Sequence, residues 1–325
     1  MAYGKTEMSE IKIGQDTITF SGRGIHSGAP VSLRITRRNS GGIVFCRTDM
    51  NMSEIPALYD NVGDTKMRNT TVGDIRGAHV QTVEHLMAAL FIAGVRHARI
   101  EIDGPETPIL DGSARMFLDA FHDAGWMMSA TQMPRIVVKK TVVATVRDVR
   151  RTLPRGLRFK LWISDLLAGR RADGFVELAP NGGAGLDISA TLIYPEKIIG
   201  RQSFDFSFDG TKKSVDAFAR DIARARTFGK FSEWEYLKAH GMARGADATN
   251  VIALNDAGDG TLNPLHWADE FVRHKIIDAL GDMYMSGGFV CGRLTTYKGS
   301  HAMNNLVLKK LFGNPDNYDI IKTNK

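Results

Sequence analysis

The chain has little cysteine and no long apolar run. Its 325 residues include only two cysteines, Cys46 and Cys291, which lie far apart and form no CxxC pair. A disulfide framework and a thiolate zinc knuckle are therefore excluded, and a reducing cytoplasm fits this composition. The most apolar run, LMAALFIAGV, is far too short to span a bilayer, and the N-terminus lacks an apolar core of signal-peptide length. We expect a cytoplasmic protein, either soluble or peripheral to the inner membrane.

Low-complexity tracts are also absent, and the composition is that of a folded globular protein. Hydrophobic residues make up 43% of the chain and charged residues 24%, which excludes the disordered and fibrous classes. The formal net charge of +6 suits a ligand that carries phosphate or an anionic membrane surface. Because no aromatic-interleaved RNA motif or basic tail accompanies this charge, we expect no nucleic-acid partner.

The apolar pattern predicts mixed helices and strands in two echoing halves. In the first half, strand-like alternation precedes helices at 80–94 and 113–125. In the second half, strands recur before helices near 214–226 and at 269–288. A chain of this length exceeds the usual size of one domain.

We therefore expect an α+β fold of two similar domains. The first spans 1–132 and the second spans 133–312, followed by a C-terminal tail at 313–325. The low similarity between the halves does not prove an internal repeat. We expect the protein to be a monomer.

One predicted helix carries an orderly polar stripe. In DEFVRHKIIDALGDMYM (269–285), His274, Asp278 and Asp282 fall on one side at helical spacing. The opposite arc is apolar: Val272, Ile276, Ile277, Leu280 and Met283. A solvated His–Asp pair on a surface helix would show this pattern, but an imidazole and a carboxylate one turn apart can also bind one cation. A third ligand is needed to favour the metal site.

His85 in TVEHLMAAL is the candidate third ligand. The stretch is not HExxH, so it does not have the usual metalloprotease spacing. Together with His274 and Asp278, however, His85 completes three protein ligands and leaves a fourth position for water, as in hydrolytic zinc sites. Glu84, directly before His85, then becomes a candidate general base.

His301 is a second candidate proton-transfer group. It follows a predicted strand at the start of a predicted helix, a position that disfavours imidazolium unless a carboxylate lies nearby. Asp282, on the same stripe as the metal ligands, is a plausible partner.

These stretches together resemble the zinc-dependent UDP-3-O-acyl-N-acetylglucosamine deacetylases of lipid A biosynthesis. The resemblance covers most of the chain, with the motifs in the family's order. They are SGRGIHSG (21–28), RNTT (68–71), TVEHLMAAL (82–90), GPETPILDGSA (104–114), RARTFG (224–229), DEFVRHKIIDALGD (269–282) and HAMNN (301–305).

The resemblance implies an enzyme that converts UDP-3-O-((R)-3-hydroxyacyl)-N-acetylglucosamine to the free amine and acetate, the committed step of lipid A biosynthesis. It implies three ligands for Zn²⁺, although iron stays open as the native metal: His85, His274 and Asp278. It assigns Glu84 as the base and His301 as the cationic acid held by Asp282. It also implies two domains, each layering a β-sheet against two α-helices, with the active site between them.

Four further residues acquire roles only through the resemblance. Thr227 is expected to hydrogen-bond the oxygen of the tetrahedral intermediate, with Phe228 beside the site. Lys275 is expected to contact the nucleotide diphosphate, and Lys298 the sugar or nucleotide. For either lysine, a solvated charge is the structural alternative.

The chain departs from the family pattern at several positions. Ser300 precedes the acid histidine where glycine is usual, and Lys230 follows RTFG where a hydrophobic residue is common. The segment near 230–257 resembles the passage for the substrate's acyl chain, which Ala246 would shorten. These departures leave two alternatives open: a paralogue that deacetylates another N-acetylated sugar, or a non-catalytic binding paralogue.

An extra segment at 149–171 has no counterpart in the family pattern. Between 147 and 171 there are eight basic residues and two acidic ones, interleaved with leucines, Phe159 and Trp162. This composition is typical of a contact with an anionic membrane surface, but the apolar side chains would equally cover the second sheet. The pattern fits a strand or a helix.

Overall fold

The computed structural model describes residues 9–63, 69–153, 156, 173–241 and 243–322. Within these residues strands outnumber helices and pair into several sheets, which confirms the α+β class. Apolar side chains from both halves form one continuous core. Among the described residues, no helix combines the length and the apolarity that crossing a membrane requires.

The described strands of the N-terminal half are β1 (Glu10–Ile13), β2 (Thr17–Arg23), β3 (Pro30–Arg37), β4 (Ile43–Arg47), β5 (Glu54–Pro56), β6 (Thr71–Gly73), β7 (His79–Gln81) and β8 (Ala98–Ile102). Six of them form the first sheet, in the order β1-β2-β3-β8-β4-β5. Alternation places Phe20 opposite Leu33 on the buried face of β2 and β3. β6 and β7 form a separate hairpin directly before the first helix.

Two α-helices follow in this half, α1 (Glu84–Ile92) and α2 (Arg115–Asp123). All residues of α1 are buried. α1 begins four residues later than the pattern at 80–94 predicts. The reason is that residues up to Gln81 pair in β7 and Thr82 has φ of 58°, which an α-helix does not accommodate.

The second sheet is formed entirely by later residues. Its strands are β9 (Arg135–Val138), β10 (Val142–Thr145), β11 (Phe175–Ala179), β12 (Leu186–Ile193), β13 (Arg201–Phe208), β16 (Phe289–Tyr297) and β17 (Tyr318–Ile321). A separate parallel pair consists of β14 (Phe228–Lys230) and β15 (Ile252–Leu254). β16 is central and pairs with β9, β11 and β12, and β17, within the expected tail, pairs with β9.

The described helices of the later half are α3 (Val146–Arg151), α4 (Lys212–Asp221), α5 (Phe231–Ala239), α6 (Glu270–Tyr284) and α7 (His301–Phe312). α3 begins with a capping box between Thr145 and Asp148. It covers only the start of the extra segment. The rest of 149–171, apart from 152–153 and 156, lies outside the described residues.

α1 and α6 pack directly against each other in the interior. A β-carbon built on Gly281 of α6 would overlap the carbonyl oxygen of Glu84 in α1, so only glycine permits this approach. Because α6 is enclosed on both sides, its polar stripe is buried together with its apolar arc. A solvated His–Asp pair is therefore the wrong interpretation of this stripe.

Candidate metal centre and active site

Three side chains from α1 and α6 converge on one point. His85 lies in the first turn of α1, and His274 and Asp278 occupy successive turns of α6. The Nε2 atoms of His85 and His274 lie 3.7 and 3.5 Å from Oδ1 of Asp278. The three ligand atoms all lie within 4.8 Å of one another, so this group could hold a metal ion.

The chemistry of the three donors fits a metal ion. Oδ1 of Asp278 is buried and has no hydrogen-bond partner among the described residues. Nδ1 of His274 lies 3.1 Å from the carbonyl oxygen of Ala225, and since a carbonyl only accepts, Nδ1 carries the proton. The lone pair of His274 is thereby left on Nε2, which faces Asp278.

Burial and neighbouring charges set the protonation states that ligation requires. Burial lowers the pKa of His274 to about 3, so its ring is neutral near pH 7. Burial acts to raise the pKa of Asp278, but the ammonium of Lys275, 2.7 Å from Oδ2, and the three neighbouring histidines together outweigh it and hold that pKa well below its usual range. Two imidazoles with a carboxylate form a donor set that suits Zn²⁺.

Glu84 lies beside this group at the start of α1. Its Oε2 accepts a hydrogen bond from the backbone N–H of Thr70 at 3.0 Å. Burial raises the pKa of Glu84, and a raised pKa makes the carboxylate a stronger proton acceptor near neutral pH. Ligand atoms of Glu84, Asp278 and His301 also lie within 4.8 Å of one another. Glu84 therefore faces the same small space as the candidate metal ligands.

His301, in the first turn of α7, borders the same space. Ser300 is the N-cap, and its hydroxyl accepts a hydrogen bond from the N–H of Met303 at 3.4 Å. Nδ1 of His301 lies 2.8 Å from Oδ2 of Asp282. Burial lowers the pKa of His301, but Asp282, together with Glu84 and Asp278, outweighs burial and raises the pKa to about 9, so the ring is cationic at neutral pH.

Thr70 connects these two groups, although sequence analysis assigned it no role. Its backbone N–H binds Glu84, while its hydroxyl donates to Oδ1 of Asp282 at 2.5 Å and lies 3.1 Å from Nδ1 of His301. Asn304 adds a bond from Nδ2 to Oδ2 of Asp282 at 2.8 Å. The only signal for Thr70 in the sequence is its place in RNTT, a stretch shared with the family.

Glu84, His301 and the three candidate metal ligands line a cavity of about 500 Å³, which extends along an apolar wall. The wall includes Ile25, Ile199, Trp234, Leu237, Ala243, Ala246, Val251 and Leu254. Several of these residues belong to the segment near 230–257, which folds as α5, β15 and their loops. Lys230, at the end of β14, lines the cavity with its ammonium 2.7 Å from Oε1 of Glu196.

The structure brings three of the four remaining expected residues to this cavity. Thr227 and Phe228 line it, and the Phe228 ring meets the His274 ring edge to face with centroids 6.4 Å apart. Lys275 also lines it, paired with the candidate ligand Asp278. Lys298 is not among the lining residues, and its ammonium instead lies 2.8 Å from Asp173.

Comparison with known proteins confirms the resemblance. A family model described as UDP-3-O-acyl N-acetylglycosamine deacetylase matches residues 14–313. Among curated proteins, the UDP-3-O-acyl-N-acetylglucosamine deacetylase of Myxococcus xanthus (strain DK1622) is 38% identical over 307 residues, covering 93% of this chain and 86% of that protein.

Two other relatives carry the same name. The protein of Shewanella sp. (strain ANA-3) is 35% identical over 315 residues, or 96% of this chain and 92% of that protein. The protein of Geobacter sp. (strain M21) is 35% identical over 309 residues, which cover 94% of this chain and 89% of that protein. Since the family model and these relatives cover nearly the whole chain, it belongs to the UDP-3-O-acyl-N-acetylglucosamine deacetylase family.

Proposed function

We propose that the protein is a zinc-dependent amidohydrolase that removes the acetyl group from UDP-3-O-((R)-3-hydroxyacyl)-N-acetylglucosamine, the committed step of lipid A biosynthesis. The observation that carries this proposal is the convergence of one His/His/Asp group, Glu84 and His301 on a single cavity. A non-catalytic paralogue has no need of both proton-transfer groups. A paralogue for another N-acetylated sugar stays the second candidate because of Lys230 and Ser300.

His85, His274 and Asp278 would hold the zinc ion. When bound, zinc would polarise the acetamide carbonyl and lower the pKa of water. Glu84 accepts the proton of the attacking water. Its raised pKa and its bond from Thr70 suit that role.

His301 donates a proton to the leaving nitrogen, because amide cleavage needs a protonated leaving group. Asp282 supports this role by keeping the ring cationic and by fixing Nδ1, which leaves Nε2 toward the cavity. Thr227 stabilises the negative charge that develops on the acetyl oxygen. Its position on the cavity wall beside Phe228 supports this assignment.

The rest of the cavity suits an acylated UDP-sugar. The apolar wall, to which 230–257 contributes several residues, accommodates the acyl chain, and Phe228 packs beside the reacting group. Lys275 contacts the diphosphate and Lys298 the sugar or nucleotide. Lys275 is supported by its place on the cavity wall, whereas Lys298 would first have to leave Asp173.

We further propose that 1–132 and 133–312 are distinct domains of a monomer, with the active site between them. The division is supported by the two large sheets, whose strands come from residues 10–102 and 135–321 respectively. Glu84 and His85 come from the first range, and the other candidate catalytic residues come from the second.

A peripheral contact with the anionic inner-membrane surface is proposed for the basic segment 149–171. Its charge, eight basic residues against two acidic ones between 147 and 171, supports the proposal. Binding to anionic vesicles should fall with added salt and disappear when 150–171 is replaced by a short Gly/Asn turn. Equal vesicle binding by the two proteins, both active on soluble substrate, would contradict it.

Acetate release tests the proposed reaction. Zinc-loaded protein should turn over the 3-O-acylated UDP-sugar much faster than UDP-N-acetylglucosamine, since the apolar wall binds only the former. Equal turnover of the two sugars would favour the paralogue, and no turnover of either would reject the assignment.

A further inference from the structure

One buried amide oxygen beside the catalytic groups has no partner. Asn69 precedes Thr70, is 1% exposed, and lines the same cavity as Glu84 and His85. Its Oδ1 atom makes no hydrogen bond to any described residue. Buried polar atoms nearly always have a partner, so an orphaned acceptor on a cavity wall indicates a donor supplied by a ligand.

The hydrogen-bond network determines which end of the Asn69 amide is unpaired. Nδ2 of Asn69 lies 2.9 Å from Oγ1 of Thr82, and that hydroxyl lies 3.0 Å from Oε1 of Glu106. Oε1 of Glu106 also accepts the N–H of His26 at 3.0 Å, so it acts as an acceptor. The single proton of Thr82 therefore points to Glu106, and its lone pair must accept from the NH₂ group of Asn69. Rotating the amide would place two acceptors face to face.

The position of Asn69 identifies the part of a ligand that it can reach. The next residue, Thr70, binds Glu84 through its backbone, so Asn69 lies at the end of the cavity that holds Glu84. On the proposed function, this end receives the acetylated amino sugar. The scissile amide must reach Glu84 there, so the substrate groups nearest to Asn69 are those of the amino sugar that carries this amide.

We propose that Asn69 is a substrate-binding residue whose Oδ1 accepts a hydrogen bond from an N–H or O–H group of the amino sugar next to the scissile amide. This assignment rests on the proposed function. Asn69 would thus favour ligands that carry the amino sugar over ligands that lack it. This contact is separate from the groups that hold the metal and transfer protons. Thr82 and Glu106 act as positioning residues, since they keep the amide in the orientation that presents its oxygen.

The test measures binding without turnover. Zinc-loaded full-length Glu84→Gln protein is titrated by calorimetry with the acylated UDP-N-acetylglucosamine and, separately, with UDP. Adding Asn69→Leu, which keeps the size of the side chain but removes its acceptor, should weaken binding of the acylated sugar about tenfold. The affinity for UDP should not change. Asn69→Ala is measured in parallel in case leucine impairs folding.

Asn305→Leu is the matched control. Asn305 is a buried asparagine whose Nδ2 bonds the carbonyl of Tyr59 at 2.8 Å, and it does not line the cavity. Asn305→Leu should leave the affinities for the acylated sugar and for UDP unchanged. Unaltered binding of the acylated sugar by both Asn69 variants, or an equal loss for the sugar and UDP, would overturn the role of Asn69. Failure of the Glu84→Gln reference to bind the acylated sugar would instead count against the proposed function.

Discussion

Gly281 lies directly against the backbone of Glu84, where α6 crosses α1, and a β-carbon at Gly281 would overlap the Glu84 carbonyl oxygen. The contact sets the distance between the two helices. The candidate ligand His85 lies on α1 and the candidate ligand Asp278 lies on α6. The distance between the ligand atoms therefore depends on the absence of a side chain at Gly281.

Gly281→Ala should push α1 and α6 apart and weaken the metal site. Overpacking of this kind costs about 1–3 kcal/mol, and the displaced ligands should lower zinc affinity at least about tenfold. Zinc titration against a competing chelator, together with kcat/KM, measures the effect. Gly183→Ala is the control, because a β-carbon there makes only ordinary contacts. Native zinc affinity and activity in Gly281→Ala would show that the helix spacing does not position the ligands.

Thr70→Val should lower kcat without loss of zinc. The substitution keeps the shape and the backbone bond to Glu84, but it removes the hydroxyl that donates to Asp282. Leaving a buried carboxylate oxygen without its donor costs about 1–3 kcal/mol. If the whole cost raises the barrier to proton donation by His301, kcat should fall roughly 10–100-fold. Thr70→Ser restores the hydroxyl and should recover most of the rate. If serine is as slow as valine, the hydroxyl is not the cause.

The pH dependence of kcat/KM should have a basic limb that belongs to His301. The acid must be protonated, and its pKa is about 9, so activity should fall as pH rises through about 9. Asp282→Asn removes the charge that raises this pKa, and the basic limb should therefore move to lower pH. The profile is measured with zinc-loaded protein at saturating metal. A basic limb at the same pH in both proteins would assign it to another group.

The sequence predicts this site well where the pattern is local. The stripe at His274, Asp278 and Asp282 follows from helical spacing, and the strand-like alternation of the first half is confirmed by β2 and β3, where Phe20 and Leu33 are buried. In contrast, the bond between Thr70 and Asp282 joins residues 212 positions apart. No periodicity encodes such a contact, because it depends on how the two sheets and their helices pack.

The local sequence pattern also does not predict whether the polar stripe of α6 is buried. A polar stripe looks the same in sequence whether it faces solvent or another helix, and the fit of Gly281 on Glu84 decides between these alternatives. Similarly, the late start of α1 follows from the pairing of β7 and the positive φ of Thr82. Asn69 has no sequence signal beyond its place in RNTT, since its importance lies in an unpaired oxygen.

The most direct test measures zinc content and acetate release on the same preparations of two variants. Glu84→Gln should retain about one zinc per chain and lose about 10²–10⁴-fold in kcat, because it removes a proton acceptor but no ligand. His274→Ala should lose both zinc and activity, because a three-ligand site has no spare donor. Full zinc occupancy with normal acetate release in His274→Ala, or normal release in Glu84→Gln, would contradict the account.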